Sequence, residues 1–169
     1  MDFKPTGAWA MNPDKPRAYL KTQDFHVPSG TGYDMNVYLH GFCTIFALAL
    51  HEKYGYPITL ICDDDMNPGD DPLTYLTHAY CTWTTPDGNA IYIDVRGMTA
   101  DRHGFMSEFK DFFDTEPLCV PDFDPGLLKA DVMKSVGPER DRLSLEAVAE
   151  SFIKWHPDWF DVKLIGKTC

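Results

Sequence analysis

The chain has 169 residues, 44% of them hydrophobic and 14% aromatic, with a formal net charge of −11. That length and apolar content suit one well-packed domain and exclude a disordered chain. The negative charge repels phosphate backbones and anionic lipid surfaces, so neither nucleic acid nor membrane is expected as a partner.

No apolar stretch reaches the roughly 20 residues of a membrane span. The start, Met1-Asp2-Phe3-Lys4-Pro5, lacks the basic opening and apolar core of a signal peptide, so a cytoplasmic protein is expected. Cys43, Cys62, Cys81, Cys119 and Cys169 form an odd set, which argues against a disulfide framework. No Cys-x-x-Cys pair occurs, so no zinc knuckle is expected.

Residues 1–36 are rich in Pro and Gly (Pro5, Gly7, Pro13, Pro16, Pro28, Gly30, Gly32) and read as an irregular N-terminal wrap with short elements. Residues 42–54 give the clearest helix. Gly41 precedes it, Gly55 stands where a left-handed C-terminal cap belongs, and its first turns are almost wholly apolar. Such a helix belongs in the core.

Pro57 to Cys62 reads as a short apolar strand, and residues 63–72 as an acidic loop. A hairpin follows, with strands Thr77 to Thr84 and Ala90 to Val95 about the turn Pro86-Asp87-Gly88-Asn89. Gly97 ends it. Phe105, Phe109, Phe112 and Phe113 share one helical face, and residues 117–126, with three prolines, read as a loop. Leu145, Val148, Ala149 and Phe152 mark a second amphipathic helix, N-capped by Ser144 and ending near Pro157. The fold class expected is α+β, one domain over residues 1–169. It divides into the wrap, a core over 38–97 and a helical part over 98–169.

One constellation carries chemistry. The reactive form of cysteine is the thiolate, which a helix N-terminus and an adjacent imidazole favour. Cys43 stands in the first turn of the buried helix, and Gly41 leaves room for a substrate. Backbone N–H groups there can receive a developing oxyanion. The hairpin supplies a base and its orienter: His78 begins one strand and Asp94 ends the other, which brings both to the open end. They work together only if they project from the same sheet face. Each residue alone has a bland reading. Cys43 could be an ordinary buried cysteine, His78 a strand residue, Asp94 a turn cap.

Gly41-Phe42-Cys43-Thr44-Ile45-Phe46-Ala47, followed by Gly55-Tyr56-Pro57-Ile58, resembles the nucleophile helix of transglutaminase-like, papain-fold cysteine enzymes. His78-Ala79-Tyr80 and Asp87 to Gly97 resemble that group's following hairpin, in the order Cys, His, Asp that arylamine N-acetyltransferases share. The papain signature Cys-Gly-Ser-Cys-Trp is absent, and no glutamine stands upstream of Cys43. Asn36 and Tyr38 are the nearest polar residues. The resemblance implies a papain-like fold in which a central nucleophile helix packs on a mostly antiparallel sheet. It also implies acyl transfer through a thioester, with Cys43, His78 and Asp94 catalytic.

Tyr38, Phe42 and Arg96 are candidates for substrate contact, and for Arg96 a structural ion pair is the alternative. Asp101 is weighed in the same way. The expected activity is a cysteine-dependent peptidase, isopeptidase or amidase, with a peptide, protein or small amide as substrate. A transglutaminase-like or N-acyl transferase, and an inactive binding or inhibitory module, are the alternatives. No cofactor is expected. Asp63, Asp65 and Asn67 alternate as calcium ligands do, but Pro68 and Thr74 occupy the positions where an EF-hand needs Gly and Glu. The histidines show no ligand spacing, so no metal is expected. The sequence specifies no oligomeric state.

Overall fold

In the computed structural model, which describes residues 3–165, a five-stranded antiparallel sheet and seven helices make an α+β fold. Cys169 lies outside the described residues. The N-terminal wrap contains two short helices, α1 (Gly7–Met11) and α2 (Arg17–Leu20). They lead to a small hairpin of β1 (Asp24–His26) and β2 (Gly32–Asp34), then a 3₁₀ turn, Met35–Tyr38.

Helix α3 (Cys43–Tyr54) begins one residue later than the sequence pattern suggests. Phe42 holds the N-cap position, and Gly55 closes the helix with φ 75°, its N–H donating to the His51 carbonyl at 2.7 Å. Every residue from Cys43 to Leu50 is buried. A helix apolar all round needs cover on all sides. The sheet covers one side, and α5 (Pro125–Ser135) and α6 (Glu139–Trp155) cover the other.

The sheet is ordered β6-β5-β4-β3-β7, from β3 (Ile58–Cys62), β4 (Leu76–Thr84), β5 (Ala90–Asp94), β6 (Gly97–Thr99) and β7 (Leu118–Val120). The hairpin of β4 and β5 runs in register from Thr84 opposite Ala90 to Cys81 opposite Ile93, with the turn where the sequence marks it. One sheet face presents Ala79, Cys81, Ile91 and Ile93 toward α3, and the Cys81 thiol reaches the Ala47 carbonyl at 3.4 Å. The opposite face presents His78, Tyr80, Tyr92 and Asp94. Phe105 of α4 (Arg102–Met106) and Phe109 of the following 3₁₀ segment, Ser107–Phe112, cover it.

Three expectations are corrected. The segment 117–126 is not all loop: β7 adds to the sheet edge between Pro117 and Pro121, prolines that edge positions tolerate. Pro125 starts α5, where a proline needs no N–H, and Asp124 caps it through the Gly126 amide at 2.8 Å. Ser144 does not cap α6, which begins upstream at Glu139 with an acidic first turn. The Phe face breaks after Met106, because the chain tightens to 3₁₀ winding. Phe105 and Phe109 are buried, whereas Phe112 is exposed and Phe113 lies in extended backbone.

Helix α7 (Pro157–Phe160) and a 3₁₀ turn, Val162–Leu164, come last among the described residues. The outer edge of β6 is covered by the wrap, where the Thr6 amide donates to the Met98 carbonyl and the Ala8 amide to the Arg96 carbonyl, each at 2.9 Å. No helix among the described residues is long and apolar enough to cross a membrane.

Candidate active site

The site forms where the β4–β5 ladder stops. Beyond the pair of Cys81 and Ile93, β5 turns away through Val95 and Arg96 into β6. Backbone N–H groups alternate between the two sides of a strand. The Thr82 amide points to the β3 side, onto the Pro57 carbonyl, so the Ala79 amide points to the side that β5 has vacated. The start of α3 fills that gap. The Ala79 N–H donates to Cys43 Sγ at 3.4 Å, which anchors the sulfur at the mouth of the ladder.

Position and backbone prepare the N-terminus of α3. Gly41 takes φ 145°, a conformation that L side chains rarely adopt. The Phe42 amide donates to the Val37 carbonyl at 2.8 Å, and the amides of Ile45 and Phe46 turn to the Phe42 carbonyl. The amides of Cys43 and Thr44 have no acceptor among the described residues. They are two of the donors that every helix start leaves free.

His78 and Asp94 share one sheet face, as the expected arrangement requires. His78 Nε2 donates to Asp94 Oδ2 at 3.0 Å. That bond sets the tautomer, because an ionised carboxylate can only accept. Nδ1 is then the free nitrogen, buried and without a hydrogen bond of standard geometry among the described residues. Burial works to lower the pKa of His78. Hydrogen bonding to Asp94 and Cys43, with the charges of both, outweighs it and raises the pKa. Cys43 therefore acts electrostatically on the same ring that Asp94 holds.

Asp94 is clamped from its other side by Arg96. Nε of Arg96 donates to Oδ1 at 3.1 Å and to Oδ2 at 3.2 Å, and Nη2 donates to Oδ2 at 2.7 Å. The Arg96 backbone amide donates to Oδ1 at 2.9 Å. Burial would push the Asp94 carboxyl up, but the Arg96 charge and the His78 hydrogen bond hold it well below the usual carboxylate range. The guanidinium lies against the rings of Trp9 and Phe105, at 4.4 and 4.5 Å from their centroids, and also donates to the Phe105 carbonyl.

Relative exposures are 5% for Cys43, 0% for His78, 3% for Asp94 and 1% for Arg96. Of the residues expected from sequence, the structure thus gathers Cys43, His78 and Asp94. It does not gather Tyr38, which is fully buried and spends its hydroxyl on the Leu145 carbonyl of α6 at 2.6 Å. Tyr38 pins two elements together and is not open to a substrate. Arg96 is likewise no substrate contact, since its donors are engaged and its side chain is enclosed. Of its two readings, the ion pair is the one observed. Phe42 is half-buried beside Cys43, edge-on to Tyr33 at 5.7 Å, and can form a wall. Asp101 caps α4 through the Gly104 amide.

Sequence reasoning missed three participants. The Ala79 amide carries no side-chain signal. Phe109 stacks on the His78 ring at a centroid distance of 4.5 Å, a target that the aromatic periodicity does not reveal. Glu108 bonds to His40, just upstream of Cys43, across a long stretch of sequence.

Asp63, Asp64 and Asp65 bring carboxylate oxygens within 4.8 Å of one another, a donor set of the hard-oxygen type. Asp64 already accepts from the amide and hydroxyl of Thr115, both at 2.9 Å, which gives the cluster a loop-bracing role. No protein-family model, curated protein or solved structure matches this chain.

Proposed function

We propose that the protein is a cysteine-dependent acyl hydrolase of the transglutaminase-like, papain-fold kind, acting on an amide or ester through a thioester on Cys43. The observation that carries this reading is the orientation of His78. One ring nitrogen is committed to a clamped carboxylate, and the other makes no hydrogen bond of standard geometry, on a ring that Cys43 influences electrostatically.

The steps balance on these groups. His78 Nδ1 takes the Cys43 proton as the sulfur attacks the carbonyl carbon. The resulting oxyanion is received by the free amides of Cys43 and Thr44. The bond to the leaving amine or alcohol breaks, and His78 returns the proton to it. Water then gives a proton to His78 and attacks the thioester, which releases the acid and restores the thiol. Asp94 stabilises the imidazolium that forms twice in this cycle, and Arg96 keeps Asp94 ionised and in place. An amine in place of water would make the same site an acyl transferase.

The test uses small activated acyl esters. Intact-mass analysis of the wild-type protein after incubation with p-nitrophenyl acetate should show a hydroxylamine-labile acetyl adduct, mapped to Cys43 and absent from Cys43→Ala. An adduct of equal extent in Cys43→Ala, or none on Cys43, removes the proposal. The enclosure of Cys43 and His78 supports one second reading, a catalytically silent binding scaffold. That reading predicts no adduct.

A further inference from the structure

The buried pair poses a physical problem. Surface clefts of about 550, 420 and 430 Å³ are lined by other residues, and none of them is lined by Cys43, His78 or Asp94. A substrate of any size needs a way in. What lies on the His78 ring is Phe109 of the 3₁₀ segment Ser107–Phe112.

We infer that Ser107–Phe112 is a strap that closes over Cys43 and His78, and that Glu108 is the latch that holds it shut. The strap touches His78 and the loop just before Cys43. Phe109 lies stacked on the His78 ring at 4.5 Å, and the His40 ring, in the loop that delivers Cys43, contacts Phe109 at 5.6 Å and Phe112 at 6.0 Å. Glu108 sits between Arg17 and His40, which lie on separate elements. Its Oε1 accepts from His40 Nε2 at 2.6 Å and from Arg17 Nη1 at 2.9 Å. One carboxylate thereby ties the strap both to the loop before α3 and to α2.

Winding of the 3₁₀ type has poorer hydrogen-bond geometry than an α-helix and rarely persists beyond a turn or so. At its far end Phe113 returns to extended backbone, and Thr115 is tied to Asp64 on the acidic loop. The segment therefore runs from α4 to the Thr115–Asp64 contact. The buried Phe109 ring and two partly exposed contacts of Glu108 keep it down, and the Glu108 contacts are the ones easily exchanged for water. Opening it would uncover the ring of His78 and the approach to Cys43 without disturbing the strands that hold the triad. The geometry of the strap stands by itself. Its meaning as a gate to a nucleophile rests on the function proposed above.

Alkylation of thiols at pH 9 tests it, because any accessible thiol reacts there whether or not it is activated. Iodoacetamide rates at Cys43, Cys62, Cys81 and Cys119 are followed by peptide mapping in the wild type, Glu108→Ala and His40→Gln. Glu108→Ala removes both contacts and should speed Cys43 about tenfold, and His40→Gln removes one and should speed it about threefold. Cys62 and Cys81, buried in the strands, should keep their wild-type rates. An unchanged Cys43 rate, or one that rises in step with Cys62 and Cys81, overturns the strap. A local gain at Cys43 with no acyl adduct in the ester assay leaves the strap standing and removes the enzymatic reading instead.

Discussion

His78 and Asp94 are diagonal neighbours on one face of the β4–β5 hairpin, with Nε2 and Oδ2 3.0 Å apart. Direct register would set Asp94 opposite Tyr80. The diagonal step carries the carboxylate to the end of the ladder, where β5 turns away and leaves the Ala79 amide to Cys43. The same break in pairing thus seats the sulfur, frees one imidazole nitrogen and brings Arg96 onto the back of the carboxylate.

Replacing Asp94 by Asn should be costly, because Arg96 would remain buried with its charge uncompensated. A loss of about 3–5 kcal/mol is expected in urea unfolding. The acid limb should change as well. The pKa of Asp94 is lower in the folded protein than in the unfolded chain, where it lies near 3.9. Its stabilisation is therefore complete above about pH 4 and disappears as pH falls through the folded value. Urea midpoints of the wild type should drop below about pH 4, and the drop should be smaller in Asp94→Asn. Equal acid limbs would mean that Asp94 is not the charged partner.

The His78 ring gives the converse sign. Its pKa is raised in the folded protein, so its contribution to stability is present below the unfolded value of about 6.5 and lost as pH rises through the folded one. In Asp94→Asn, burial becomes the dominant influence, and the ring should titrate below its ordinary value. Side-chain ¹H–¹⁵N NMR across pH 4–9, a range spanning the roughly 6.5 reference, reads this directly. A His78 titration that is the same in both proteins would show that Asp94 does not hold the ring.

Much of this arrangement was legible in the residues, and the reasons are local. Helix α3 is punctuated by glycines at both ends, and the hairpin has a strong turn signal, so Cys43, His78 and Asp94 each fall on an element that pattern alone can place. Arg96 was only half legible. Its position just past the hairpin showed proximity to Asp94, but only the tight turn to β6 decides that the side chain folds back onto the carboxylate. The strap was illegible because Glu108 meets Arg17 and His40 from distant parts of the chain. The prolines that read as loop instead bracket β7 and start α5, since proline is tolerated at an edge and at a first helical position.

Tyr38 separates packing from chemistry. Its hydroxyl is spent on the Leu145 carbonyl, so Tyr38→Phe should cost about 1 kcal/mol of stability. Acyl-adduct formation on Cys43 should proceed at the wild-type rate. A selective loss of the adduct with unchanged urea midpoints would return Tyr38 to the substrate site.

Gly97 tests whether the Arg96 clamp depends on the turn that aims it. The residue takes φ 106°, and a Cβ there would stand 2.6 Å from the Thr6 carbonyl oxygen, a backbone atom that cannot swing aside. Gly97→Ala must strain the turn and push the wrap off the edge of β6, at a cost of about 2–4 kcal/mol. The displacement also moves the Arg96 carbonyl, which accepts the Ala8 amide, and with it the guanidinium on Asp94. The variant should therefore show both a lower urea midpoint and a shifted His78 titration. A lower midpoint with an unmoved His78 would mean that the clamp is held by Trp9 and Phe105 rather than by the turn.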